Sequence, residues 1–211
     1  MKTKLQLISS LLWLLACSIF LTIYGIWLIY PLEVDWLQLV DVVYLSKKTI
    51  LYNFNHLMTY LTSPFHQTLA MPDFRSSSAG LSHFADVKSL FHLVQALVLL
   101  LVLPALLFFK HRRNEQDLWQ YQKIFFIMLC LPIVFGLLGV IVGFDQFFTL
   151  FHLLLFPNDD TWLFQPSQDP VIWILPQALF LHAFLLFFFI YEGIFLILYL
   201  KSKSFEKRIK N

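Results

Sequence analysis

Residues 89–109 read SLFHLVQALVLLLVLPALLFF, 21 consecutive positions without a charged side chain. A helix needs about 20 predominantly apolar residues to cross the hydrocarbon of a bilayer, and this stretch supplies them. Three more stretches do the same. Residues 7–30 carry no charge, residues 124–144 carry none, and residues 174–200 carry only Glu192. Pro104 and Pro132 fall inside spans, where neighbouring helices can re-satisfy the freed backbone. Pro176 is expected in the first turn of the last span, where its missing N–H costs nothing.

The composition agrees. Of 211 residues, 59% are hydrophobic and 13% charged, against about 45–50% and 25% in soluble domains. Disordered chains, basic nucleic-acid binders and soluble enzymes are excluded, so no nucleic-acid partner is expected. Two cysteines, Cys17 and Cys130, both within spans, exclude a disulfide scaffold. The expected fold is an all-α membrane protein of four transmembrane helices, with a small extracytoplasmic domain built from two outer segments.

Charge placement orients the spans. Lys2 and Lys4 precede the first; Lys110, Arg112, Arg113 and Lys123 bracket the second connection; Lys201, Lys203, Lys207, Arg208 and Lys210 fill the tail. That is 11 of the 15 basic residues. The positive-inside rule puts both termini (the tail being 201–211) and the 110–123 loop in the cytoplasm, and segments 31–88 and 145–173 outside. Trp27, Tyr30, Trp36, Trp162 and Trp173 fit an outer aromatic belt, and Trp119, Tyr121 and Tyr199 an inner one. Leu14–Ser18 resembles a lipobox, but the chain continues with apolar Ile19–Tyr24, which reads as an uncleaved span.

The outer segments are too long for simple turns. Ile50, Phe54, Leu57 and Leu61 recur at helical spacing, predicting an amphipathic helix over 47–62 stopped by Pro64. It is expected either in the membrane interface or packed on the tops of the spans. Residues 67–74 are expected to hold short strands, 75–80 a flexible loop, and 81–88 to run unbroken into the second span.

No Gly-x-Ser-x-Gly elbow or His-Glu-x-x-His motif occurs, and Ser76–Ser78 lie in a poor setting for a nucleophile. The histidines stand out instead. His83 and Asp86 share one helix face at i, i+3, where a carboxylate can orient an imidazole. His83 lies about 9 Å above the second span and His152 about 12 Å beyond the third. Both are at headgroup depth on one side, suited to proton transfer on a lipid ester. The competing readings are polar anchors at the interface, or a metal set of His83, Asp86, His152 and an aspartate. His56 and His66 read as solvated or helix-face residues. His92 and His182 lie inside spans and can hydrogen-bond across helices. Glu192 lies deep on the opposite side, where a structural role is favoured.

These segments resemble a known family. His83–Lys88 with Leu90–Phe91 matches H-x-x-D-V-K-x-L-F. Phe151–Phe156, then Asn158–Trp162 and Asp169–Pro170, matches F-H-x-x-x-F…N-D-x-W…D-P. Tyr52–Asn53 and Tyr60–Leu61 match its Y-N…Y-L pair. The family is the lipoprotein intramolecular transacylase, Lit, of low-GC Gram-positive bacteria. The resemblance implies movement of the sn-2 acyl chain of a diacylglyceryl-cysteine lipoprotein onto its own cysteine α-amine, giving the lyso-form. It implies His83 and His152 as the catalytic pair, with Tyr52, Asn53, Asn158, Asp159 and Trp162 in support; spacing, not the resemblance, suggests Asp86 to orient His83. The implied partners are the diacylated lipoprotein N-terminus and membrane lipids, in a bacterial cell membrane; no cofactor is implied, and the oligomeric state is left open, a monomer being compatible. The N-D-x-W stretch has one extra residue, so Asp159 and Asp160 compete for one position, and Gln177 replaces an acid. A non-catalytic adaptor or a metal-dependent lipid hydrolase are the alternatives.

Overall fold

The structure is a computed structural model that describes residues 2–112, 118–157 and 159–210. Its helices are α1 (Lys2–Trp36), α2 (Leu39–Val43), α3 (Lys47–Thr62), α4 (Ser78–His111), α5 (Gln122–Val142), α6 (Phe144–Leu155) and α7 (Gln177–Lys210), with a 3-10 turn at Pro170–Trp173. Among the described residues there is no strand, and α1, α4, α5 and α7 are long and apolar enough to cross a membrane. The chain divides into two compact units.

The first unit comprises Met1–Thr22, Val94–Gly143 and Leu185–Asn211. Its core is Leu14, Phe108, Leu118, Tyr121, Phe125, Tyr191 and Phe195. The Arg112 guanidinium lies 4.3 Å from the Phe108 ring centroid and donates to the Tyr121 hydroxyl at 3.0 Å, a cation–π contact closed by a hydrogen bond. Buried Ser10, Ser18 and Thr22 each donate to the carbonyl four residues earlier, so no hydroxyl is stranded in apolar surroundings. Leu99, Leu100, Val140 and Ile141 point outward, a surface that only lipid covers without penalty.

The second unit comprises Ile23–Leu93 and Phe144–Phe184. Here α1 runs beyond Tyr30, where the charge-free stretch ends, through Pro31 to Trp36. A proline inside a helix costs about 3 kcal/mol. Packing offsets that cost, because Tyr30 and Val34 are fully buried. The Tyr30 hydroxyl donates to the Ile174 carbonyl at 2.7 Å, and its ring stacks on Phe54 with centroids 3.4 Å apart.

Helix α3 occupies the predicted residues. The Ser46 hydroxyl caps it, accepting from the Thr49 N–H at 3.1 Å. Its apolar face (Ile50, Phe54, Leu57, Leu61) is buried, and Asn55 accepts from the Trp27 indole at 2.7 Å, so α3 packs on the end of α1. The strands expected over 67–74 are absent; the segment has no strand to pair with and is tied to helices instead. Asn53 donates to the Asp73 carboxylate at 2.7 Å and accepts from the Asp73 N–H at 3.1 Å, while Lys88 donates to the His66 carbonyl. The third span ends at Val142, short of the expected 144. Gly143 sits at φ 86, a conformation that favours glycine, and the chain restarts as α6.

Candidate active site

His83 is the sixth residue of α4, and the start of that helix is pinned. The Ser77 hydroxyl caps it by accepting from the Gly80 N–H at 2.9 Å. The buried Asp169 carboxylate in turn accepts from the Ser77 N–H at 2.7 Å and its hydroxyl at 2.8 Å. Arg75 donates to the Ser167 carbonyl. The stretch expected to be a flexible loop is therefore a clasp, in which Arg75 and Ser77 bond to the 165–169 region and Ser77 to its own helix. His152 lies on α6, whose first turn is tied to α7 by Gln177 donating to Asp145 at 2.7 Å.

The two helices bring the imidazoles together, with centroids 5.8 Å apart and planes inclined by 34°. Only 7% of His83 and 8% of His152 is exposed. Phe156 and Phe164 meet His83 edge-on at 4.9 and 5.6 Å. Trp162 stacks on His152 at 4.8 Å, and Phe148 packs on it at 4.2 Å.

The protonation pattern follows from one bond. His152 Nδ1 lies 2.8 Å from the Phe148 carbonyl. A carbonyl only accepts, so Nδ1 carries the proton and, in the neutral ring, Nε2 keeps its lone pair. Burial holds the His152 pKa below the usual 6.5, partly offset by that carbonyl bond. The ring is therefore a neutral base at neutral pH. His83 Nδ1 is buried without a partner.

Asp159, one of the two aspartates that compete for the acidic position, interacts electrostatically with His83. It accepts from the Thr161 N–H and hydroxyl, both at 2.9 Å, and its backbone carbonyl accepts from the Trp162 indole at 3.0 Å. The Thr161 bonds, and more weakly His83, hold its carboxyl below the usual carboxylate range. It thus sets the ring that stacks on His152.

Other expected supports are elsewhere. Asp86 is half-buried and makes no hydrogen bond to His83. At i, i+3 on a helix the two side chains diverge by about 60°, and His83 is turned into the aromatic cluster. Tyr52 is exposed and edge-on to His56 at 4.6 Å, and buried Asn53 holds the Asp73 loop. Asn158 lies outside the described residues. No group of three or more His, Cys, Asp or Glu side chains is assembled among the described residues, so the metal set does not form there.

Sequence reasoning gave Asp169 no role, although its D-P dipeptide stands in the motif. It missed Glu33 altogether. Glu33 is 1% exposed, its Oε2 is 2.7 Å from His182 Nδ1, and its Oε1 has no partner. The available signal was Tyr30 and Val34 at i, i+4, which carries the helix past Pro31. Of the span histidines, His182 bonds across helices to Glu33, while His92 leaves its buried Nε2 unpartnered.

The profile of the family described as lipoprotein intramolecular transacylase Lit matches residues 4–180. An in meso structure of the membrane integral lipoprotein intramolecular transacylase Lit from Bacillus cereus is 29% identical, with TM-score 0.83 over 99% of this chain and 96% of that one. Two further structures of the Bacillus cereus protein, each with one histidine replaced, by arginine or by alanine, are also 29% identical. They give TM-scores of 0.75 over 100% of this chain and 93% of theirs, and 0.76 over 99% and 94%. No curated protein sequence matches. With its four apolar helices and the family match over most of its length, the chain belongs to the lipoprotein intramolecular transacylase Lit family of membrane enzymes.

Proposed function

We propose that this chain moves the sn-2 acyl group of a diacylglyceryl-cysteine lipoprotein to the α-amine of that cysteine, at the outer leaflet, by histidine acid–base catalysis without an acyl-enzyme. The observation that carries the reading is the His83–His152 pair, with one ring fixed as an Nε2 base. Among the described residues, neither imidazole has a recorded hydrogen bond to a serine or cysteine that would serve as nucleophile.

The chemistry follows from the substrate. An α-amine with pKa of about 7.7–8.0 is partly protonated at neutral pH and then cannot attack. His152 Nε2 takes a proton from the attacking nitrogen as it bonds to the ester carbon. The C–O bond to glycerol breaks, and the departing oxygen takes a proton delivered through the histidine pair, so one proton moves from nitrogen to oxygen overall. Because amine and ester belong to one molecule, effective molarities of about 10⁵ M or more are accessible. In this reading His83 donates to the oxyanion or the leaving oxygen, and its unpartnered, buried Nδ1 supports that role. Both termini are cytoplasmic in this reading, supported by the 11 of 15 basic residues assigned to that side.

The test is mass spectrometry of a diacylated lipopeptide incubated with purified protein. The expected product is the N-acyl, S-monoacylglyceryl form, lost in His83→Ala and His152→Ala variants that still insert. Full activity in either variant overturns the assignment.

A further inference from the structure

We infer that Asp169 is a positioning residue for the histidine pair, and the inference rests on the function proposed above. Its carboxylate joins two parts of the site that are far apart in sequence. On one side, both its oxygens accept from Ser77, through the N–H and the hydroxyl, and Ser77 caps the helix that carries His83 six residues on. On the other side, Asp169 ends the segment whose Trp162 stacks on His152 and whose Phe164 meets His83. One residue therefore fixes the helix bearing one imidazole relative to the rings that cover both.

The joint is built tightly. Asp169 is 3% exposed. A Cβ added at Gly80 would collide with its carboxylate, so the closeness depends on that glycine. Asparagine offers one acceptor oxygen where Ser77 supplies two donors, and glutamate adds a methylene where there is no room. Displacing a reacting group by about 1 Å costs on the order of a hundredfold in rate, and that is the effect expected here.

The experiment uses the full-length protein in lipid. Asp169→Asn and Gly80→Ala are assayed for lyso-lipopeptide formation, and the modification of each histidine by diethyl pyrocarbonate is followed by peptide mass. A loose clasp lowers kcat by about a hundredfold while KM changes by less than about threefold. It also makes His83 and His152 label faster, while exposed His66 labels as before. Gly80→Ala disturbs the joint with the carboxylate still present, and Ser77→Ala, which removes one of its two bonds, decides the matter if Asp169→Asn fails to fold. Unchanged kcat and unchanged labelling in the folded variants overturn the inference, as does a loss of kcat with labelling unchanged. If the wild-type protein makes no lyso-form, the proposed function fails and the labelling rates still decide whether Asp169 positions the pair.

Discussion

Replacing Glu33 separates two ideas about a buried acid in a membrane helix, that it serves the reaction or that it joins helices. Its Oε2 meets His182 Nδ1 at 2.7 Å, and its Oε1 is buried and unpartnered. Removing one partner of such a pair costs about 3–5 kcal/mol. His182 is 34% exposed at its side chain and can turn toward water or headgroups, so Glu33→Ala is expected at the low end, about 3 kcal/mol. Glu33→Gln keeps an acceptor for His182 but buries an amide N–H₂ where the unpartnered oxygen now sits, for about 1–3 kcal/mol. Replacing both members by apolar side chains, Glu33→Leu with His182→Phe, removes the polar burden together and should fall within about 1 kcal/mol of wild type. The assay is reversible unfolding in mixed micelles, with lyso-lipopeptide formation measured on the folded fraction. A Glu33→Ala cost below about 0.5 kcal/mol, or a double variant as costly as the sum of the single ones, refutes the helix-joining argument. A stable but inactive double variant assigns the pair to the reaction instead.

One other expectation concerns the site itself and one the break between α5 and α6. Because burial lowers the His152 pKa below 6.5, the unfolded chain protonates this ring first. Its contribution to stability is full above about pH 6.5 and declines as pH falls from there toward the folded pKa. Modification of His152 by diethyl pyrocarbonate, which needs the neutral ring, should accordingly have its pH midpoint below 6.5, and a midpoint above it contradicts the burial argument. Gly143 at φ 86 should tolerate no side chain cheaply: Gly143→Ala is expected to destabilise by about 1 kcal/mol or more in the same unfolding assay, and no loss would refute the conformational argument.

The spans were legible because length and absence of charge suffice to define them, and α3 because Ile50, Phe54, Leu57 and Leu61 mark one face. Their ends were less so. Pro31 reads as a stop only while Tyr30, Val34 and their distant partners are unseen, since Tyr30 bonds to a carbonyl 144 residues away. In the same way His83, His152, Phe156 and Trp162 stand in the motifs, but Phe148 and Phe164 do not, and the joints were not legible. Asp169 meets Ser77 across 92 positions, and Glu33 meets His182 across 149; no local period encodes such pairings. The Asp86 expectation failed for the opposite reason, since proximity in sequence did not survive the orientation that packing imposed on His83.

The aromatic enclosure of the two imidazoles bears on a competition that the bond chemistry alone leaves open. A base able to activate an amine can equally activate solvent, and attack by solvent would release a free fatty acid in place of an amide. Phe156, Phe164 and Trp162 leave each ring less than one-tenth exposed, so few solvent molecules can stand where the amine must stand. Excluding such side reactions is one of the services a closed site performs. In the proposed reaction the choice between transfer and hydrolysis would fall to the aromatic side chains around the histidines, and the yield of amide per ester cleaved would be a property of those rings.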